Sequence, residues 1–146
     1  MKKATSLAQA KAIFKKQEKT NTTMPFYIES SEYFLKWDKE YSFEILSTIA
    51  SLAPNNIKAL KAYAFVLERR GAYKKVVNIY NRILALRPDS SQSYRDLALA
   101  YEAAGDYELA LTLLYQIVYN TIPNVDCSGI QELAYNELKH LLAFHK

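Results

Sequence analysis

Breakers are scarce in this sequence: three Gly and four Pro stand in 146 residues. Long stretches therefore run without interruption, and with plentiful Ala, Leu and Ile they suit helices better than strands. Cysteine is rarer still. Cys127 stands alone, which excludes an internal disulfide, and no Cys or His lies near it at zinc-ligand spacing. No apolar run approaches the roughly 20 residues that cross a bilayer, so a soluble chain is expected. The start, Met1-Lys2-Lys3-Ala4, is basic like a signal peptide, but Thr5 to Gln17 mix Ala and Leu with Gln and Lys and give no apolar core to such a peptide. The glycines are too far apart for a phosphate-binding loop. The two histidines, His140 and His145, are five apart, off the i, i+4 spacing that aligns ligands on a helix. No catalytic constellation, cofactor or metal site is expected.

What is present is half apolar and long enough for one domain with its own core. A shift of 34 residues brings the chain onto itself: Pro54 lands on Pro88, Ala64 on Ala98, Glu68 on Glu102, Gly71 on Gly105, Tyr73 on Tyr107 and Ile83 on Ile117. Within each unit, Leu60, Tyr63, Ala64 and Leu67, then Tyr94, Leu97, Ala98 and Tyr101, fall at i, i+3, i+4 and i+7, one face of a helix. Gly71 and Gly105 are expected to end these helices in the left-handed conformation. Tyr73, Val76, Tyr80 and Ile83, matched by Tyr107, Ala110, Leu114 and Ile117, form the predicted packing stripe of a second helix. Pro54 and Pro88 stop that helix, and Asn55-Asn56 and Asp89-Ser90 are the predicted caps of the next.

This pattern resembles the tetratricopeptide family, whose large residue, Leu, small residue, Tyr, Gly, Tyr, Ala, bulky apolar order is met by Tyr94, Leu97, Ala98, Tyr101, Gly105, Tyr107, Ala110 and Leu114. The resemblance implies an all-α fold of antiparallel helix pairs stacked as a right-handed α-solenoid. It places repeats at 55–88 and 89–122 within one domain over 1–146. In the first, Val76 replaces the family's Ala. In the second, Ile122 stands where the family has Pro, so an irregular loop is expected there. A divergent repeat, 24–54, keeps Tyr33, Leu46, Ile49 and Pro54 in register but has Trp37 where Gly belongs, so its turn must differ. Ser6-Leu7-Ala8-Gln9 reads as a capping box opening an N-terminal helix to about Lys19, with Leu7, Ala10 and Phe14 on one face. Thr20 to Thr23 is a linker. After a loop from Asn120 to Ser128, a capping helix over 129–145 carries Leu133, Leu138, Leu141 and Leu142.

A second resemblance, carried by Pro25-Phe26-Tyr27-Ile28, Arg87-Pro88, Ser93 to Ala98, Gly129-Ile130 and Glu137-Leu138, is to the repeat region of large bacterial envelope proteins with a VIT or von Willebrand type A domain upstream. It implies a piece of a longer chain and an envelope or periplasmic setting; without it, a cytoplasmic one is expected.

Charge is uneven. Lys58 to Arg95 holds nine basic residues against two acids, a balance of +7, while Asp96 to Lys146 holds two against seven, a balance of −5. Arg69-Arg70 and Lys74-Lys75 lie around helical turns rather than along a stripe, which argues against nucleic acid. In the tetratricopeptide family the first helix of each unit lines a concave groove. Carried over by position, that groove holds Lys58, Lys61, Phe65, Glu68 and Arg69, then Gln92, Arg95, Asp96, Leu99 and Glu102. Phe65 and Asp96 replace the Asn residues with which some members clamp a carboxylate, which disfavours that use. The expected function is a protein-interaction scaffold. Phe65 and Leu99 are its apolar anchors, and Lys58, Lys61, Arg69 and Arg95 its charge guides, for an acidic segment with an apolar anchor. The alternative is a structural spacer docked on neighbouring domains of its own chain.

Overall fold

Helix ends follow local chemistry. In the computed structural model, which describes residues 4–144, Ser6 opens α1 (Leu7–Glu18), its hydroxyl accepting from the Gln9 N–H at 3.2 Å. The other half of the expected capping box goes elsewhere. The Gln9 side chain accepts from the N–H and hydroxyl of Thr5 instead of reaching Ser6. Thr23 caps α2 (Met24–Phe34), Asp38 caps α3 (Lys39–Leu52), and Asn56 caps α4 (Ile57–Arg69), each side-chain oxygen accepting an N–H of the first turn. The chain continues through α5 (Tyr73–Leu86), α6 (Ser91–Ala103), α7 (Tyr107–Val118) and α8 (Gln131–Phe144). Ser90 precedes α6 as predicted, yet its side chain makes no capping bond. Among the described residues there is no strand, and no helix is long and apolar enough to cross a membrane. Met1, Lys2, Lys3, His145 and Lys146 lie outside the described residues.

Gly71 and Gly105 take the left-handed backbone, at φ 75° and 84°. Each closes the same pair of bonds: Gly71 N–H to Glu68 and Ala72 N–H to Leu67, then Gly105 N–H to Glu102 and Asp106 N–H to Tyr101. Asn120 does likewise after α7, at φ 54°, with bonds from Asn120 and Thr121 to Ile117 and Gln116. The residues before Pro54 and Pro88 also match. Ala53 and Arg87 have φ/ψ of −134°/62° and −133°/67°, out of the α region, as the following proline ring requires. At Trp37 the divergent turn closes without a left-handed residue, through bonds from Trp37 and Asp38 to the Phe34 carbonyl.

The chain divides into two compact units, Met1–Tyr63 and Ala64–Lys146, with the boundary inside α4. In the first, α2 packs on α3. Ser30, Ser31 and Ser42 are fully buried between them and let the backbones approach, and the Ser42 hydroxyl donates to the Ser31 carbonyl. Phe14 of α1 sits among Phe26, Tyr27, Phe34 and Tyr41, with ring centroids 5.5–6.4 Å apart. In the second unit α5 packs on α6, α6 on α7 and α7 on α8.

Leu60, Tyr63, Ala64, Leu67, Leu97 and Ala98 are buried as the repeat register predicts, while Tyr94 and Tyr101 are half-buried. Tyr73 departs from its predicted stripe. It stands at the first position of α5 and is 39% exposed, and Val77 and Ile79 are buried alongside Val76 and Ile83. In α8 the register is also corrected: Ala134, Leu138 and Leu141 are buried, whereas Leu133 and Leu142 are exposed. The loop between α7 and α8 is irregular, as expected, but pinned. Ile122, Val125 and Cys127 are buried with Leu114 and Ile117, and the Asn120 side chain accepts from the Cys127 N–H at 2.9 Å.

Candidate functional site

The predicted groove residues fall in both units. Lys58 and Lys61 are exposed in the first. In the second, Phe65 is 60% exposed on α4, and the Arg69 guanidinium, one turn on, lies over its ring at 5.9 Å. Neither is drawn into the core, because the buried face of α4 is already filled by Leu60, Ala64 and Leu67.

On α6 the predicted residues have different surroundings. Arg95 is held by Glu137 of α8: its Nε donates to Oε1 at 2.9 Å and a terminal nitrogen donates to the same oxygen. Both side chains are about four-fifths buried, which makes the pair a tie between helices. Asp96 accepts from Gln92 across one turn at 2.9 Å. Leu99 is half-buried and lines a cavity of about 130 Å³ with Glu68, Asp96, Tyr73, Val76 and Tyr80.

Tyr73 and Tyr80 are the lining residues that the sequence did not reveal. A periodic stripe marks a tyrosine as apolar and says nothing of where its hydroxyl ends. Tyr80 is half-buried, and its hydroxyl is pushed up from the usual tyrosine pKa by burial, then by the nearby carboxylates of Asp96 and Glu68. Both acids line the same cavity as this phenol. A more open cavity of about 470 Å³ lies at the α6–α7 turn, bordered by Lys74, Asn78, Tyr101 and Asp106.

No group of three or more His, Cys, Asp and Glu is placed to hold a metal ion among the described residues. His140 is exposed and its ring lies against Phe144 at 4.7 Å. Cys127 is fully buried; burial and then the Asp126 charge push its thiol pKa up, away from the reactive thiolate. What these surfaces offer is contact: an exposed aromatic with a cation over it, and a small cavity lined by two carboxylates, two tyrosines and apolar side chains. Neither a protein-family model nor a curated protein matches the chain.

Proposed function

We propose that this chain is a tetratricopeptide-type repeat module, a right-handed solenoid of antiparallel helix pairs, that binds a segment of another protein on the face carrying Phe65 and Arg69. The repeat assignment draws support from the 34-residue recurrence and from the same left-handed cap, with the same two hydrogen bonds, at Gly71 and Gly105. The exposure of Phe65 carries the functional reading. A phenylalanine left 60% exposed, with an arginine held over its ring, is an aromatic–arginine pair of the kind that anchors interfaces.

The matching segment presents an apolar side chain to Phe65 and acidic residues to Arg69. Arg95, paired with Glu137, serves to hold α6 and α8. Site-specific photocrosslinking tests the reading. With a photoreactive phenylalanine analogue at position 65, one protein segment with an apolar residue flanked by acids should be captured, and an excess of that segment as a free peptide should abolish the crosslink. Crosslinks that are unselective, or that persist under competition, contradict it.

A further inference from the structure

The cavity of about 130 Å³ beside Leu99 differs in sign from its neighbourhood. The stretch from Lys58 to Arg95 is strongly basic, yet the lining contains two acids, Glu68 and Asp96, two tyrosines, and no Lys, Arg or His. We propose that this cavity takes the cationic end of a single lysine or arginine side chain from the partner segment, an inference that rests on the protein-binding reading above.

Size sets the class of occupant. Sites for small-molecule ligands run to about 300–1,000 Å³, and one water needs about 10–15 Å³. A cavity of about 130 Å³ falls between, at the scale of one side chain. Chemistry sets the sign. Exposed Glu68 of α4 and half-buried Asp96 of α6 both line the cavity, together with Tyr73 and Tyr80, and aromatic rings are surfaces that attract a cation. Leu99 and Val76 match the methylene stem that a lysine or arginine buries behind its charged head. Burial, and after it the charges of Asp96 and Glu68, push the Tyr80 hydroxyl above its ordinary pKa, in keeping with the lining these three residues share. Asp96 keeps its bond from Gln92 in this arrangement, since a carboxylate accepts from several donors. An acidic side chain would meet two like charges there, so the cavity also discriminates against the wrong orientation of the segment.

Methyl and aromatic NMR of the full chain, titrated with N-acetyl-lysine N-methylamide, tests this without any partner. The probe should shift Leu99 methyl and Tyr80 ring signals saturably, and the uncharged norleucine analogue should not. Glu68→Gln, on an exposed side chain and checked for unchanged helix content, should weaken the lysine probe roughly twofold to fivefold, in line with one exposed charge contact. Equal shifts from lysine and norleucine, or an unchanged midpoint in Glu68→Gln, would overturn the proposal. The probe carries neither an apolar anchor for Phe65 nor an acid for Arg69. Failure here is therefore distinct from failure of the crosslink at position 65.

Discussion

Asn120 combines two tasks that elsewhere in the chain are separate. Its left-handed backbone ends α7 as Gly71 and Gly105 end α4 and α6, and its side chain also holds the following loop through the Cys127 N–H. Asn120→Gly should therefore cost about 1 kcal/mol, the lost hydrogen bond alone, and Asn120→Ala about 2 to 3, adding left-handed strain. Gly105→Ala separates the strain by itself. A Cβ there meets nothing within 4 Å, so the expected loss is about 1 to 2 kcal/mol from backbone conformation only. Urea unfolding midpoints check all three. Tyr27 makes a pH prediction. Burial, then its 3.0 Å bond to Glu18 and that carboxylate's charge, push its pKa up to about 12 from the usual 10.0. A folded-state pKa raised in this way favours the neutral phenol, so its stabilisation is complete below pH 10 and is lost as pH rises towards 12. Tyr27→Phe should flatten that part of the stability curve, and an unchanged slope would contradict the assignment.

At the scale of helices, what was legible in the sequence was whatever local chemistry decides. The caps at Ser6 and Asn56, the stops before Pro54 and Pro88, and the glycine turns depend on residues within a few positions of each other. The missing left-handed residue at Trp37 was legible for the same reason. Faces were harder. In α8 two of the four leucines, Leu133 and Leu142, lie outside the buried face, while the small Ala134 is buried with Leu138 and Leu141. Hydrophobicity ranks leucine above alanine, while close approach to α7 selects alanine, and only packing reveals which wins. Ala134→Leu should consequently destabilise by about 1 to 3 kcal/mol through overpacking, and Leu133→Ala should stay within about 0.5 kcal/mol of the wild type. The tie between Arg95 and Glu137 spans 42 positions and left no periodic mark to find. A double-mutant cycle of Arg95→Met and Glu137→Gln should return a coupling of about 1 to 3 kcal/mol, and additivity of the two changes would show the pair to be inert.

Across the whole chain, the 34-residue recurrence made the all-helical architecture legible, because repetition of the same turn chemistry fixes where helices begin and end. The candidate site was legible only in outline. Phe65 and Arg69 are exposed where the register put them, but a summed charge over Lys58 to Arg95 describes neither the neutralised Arg95 nor the acidic cavity beside Leu99. Those depend on which side chains from separate helices meet. Within the proposed interface, apolar and charged contributions should separate: exposed charge acts on association and is screened over about 8 Å at physiological salt, while a buried anchor acts on dissociation. Arg69→Glu should therefore weaken binding mainly at low salt. The dissociation constant of the segment captured at position 65, measured for Phe65→Ala against the wild type at low and high salt, tests the central claim most directly. A loss of about tenfold or more at both salt concentrations is predicted; wild-type affinity in Phe65→Ala, with helix content intact, would contradict it.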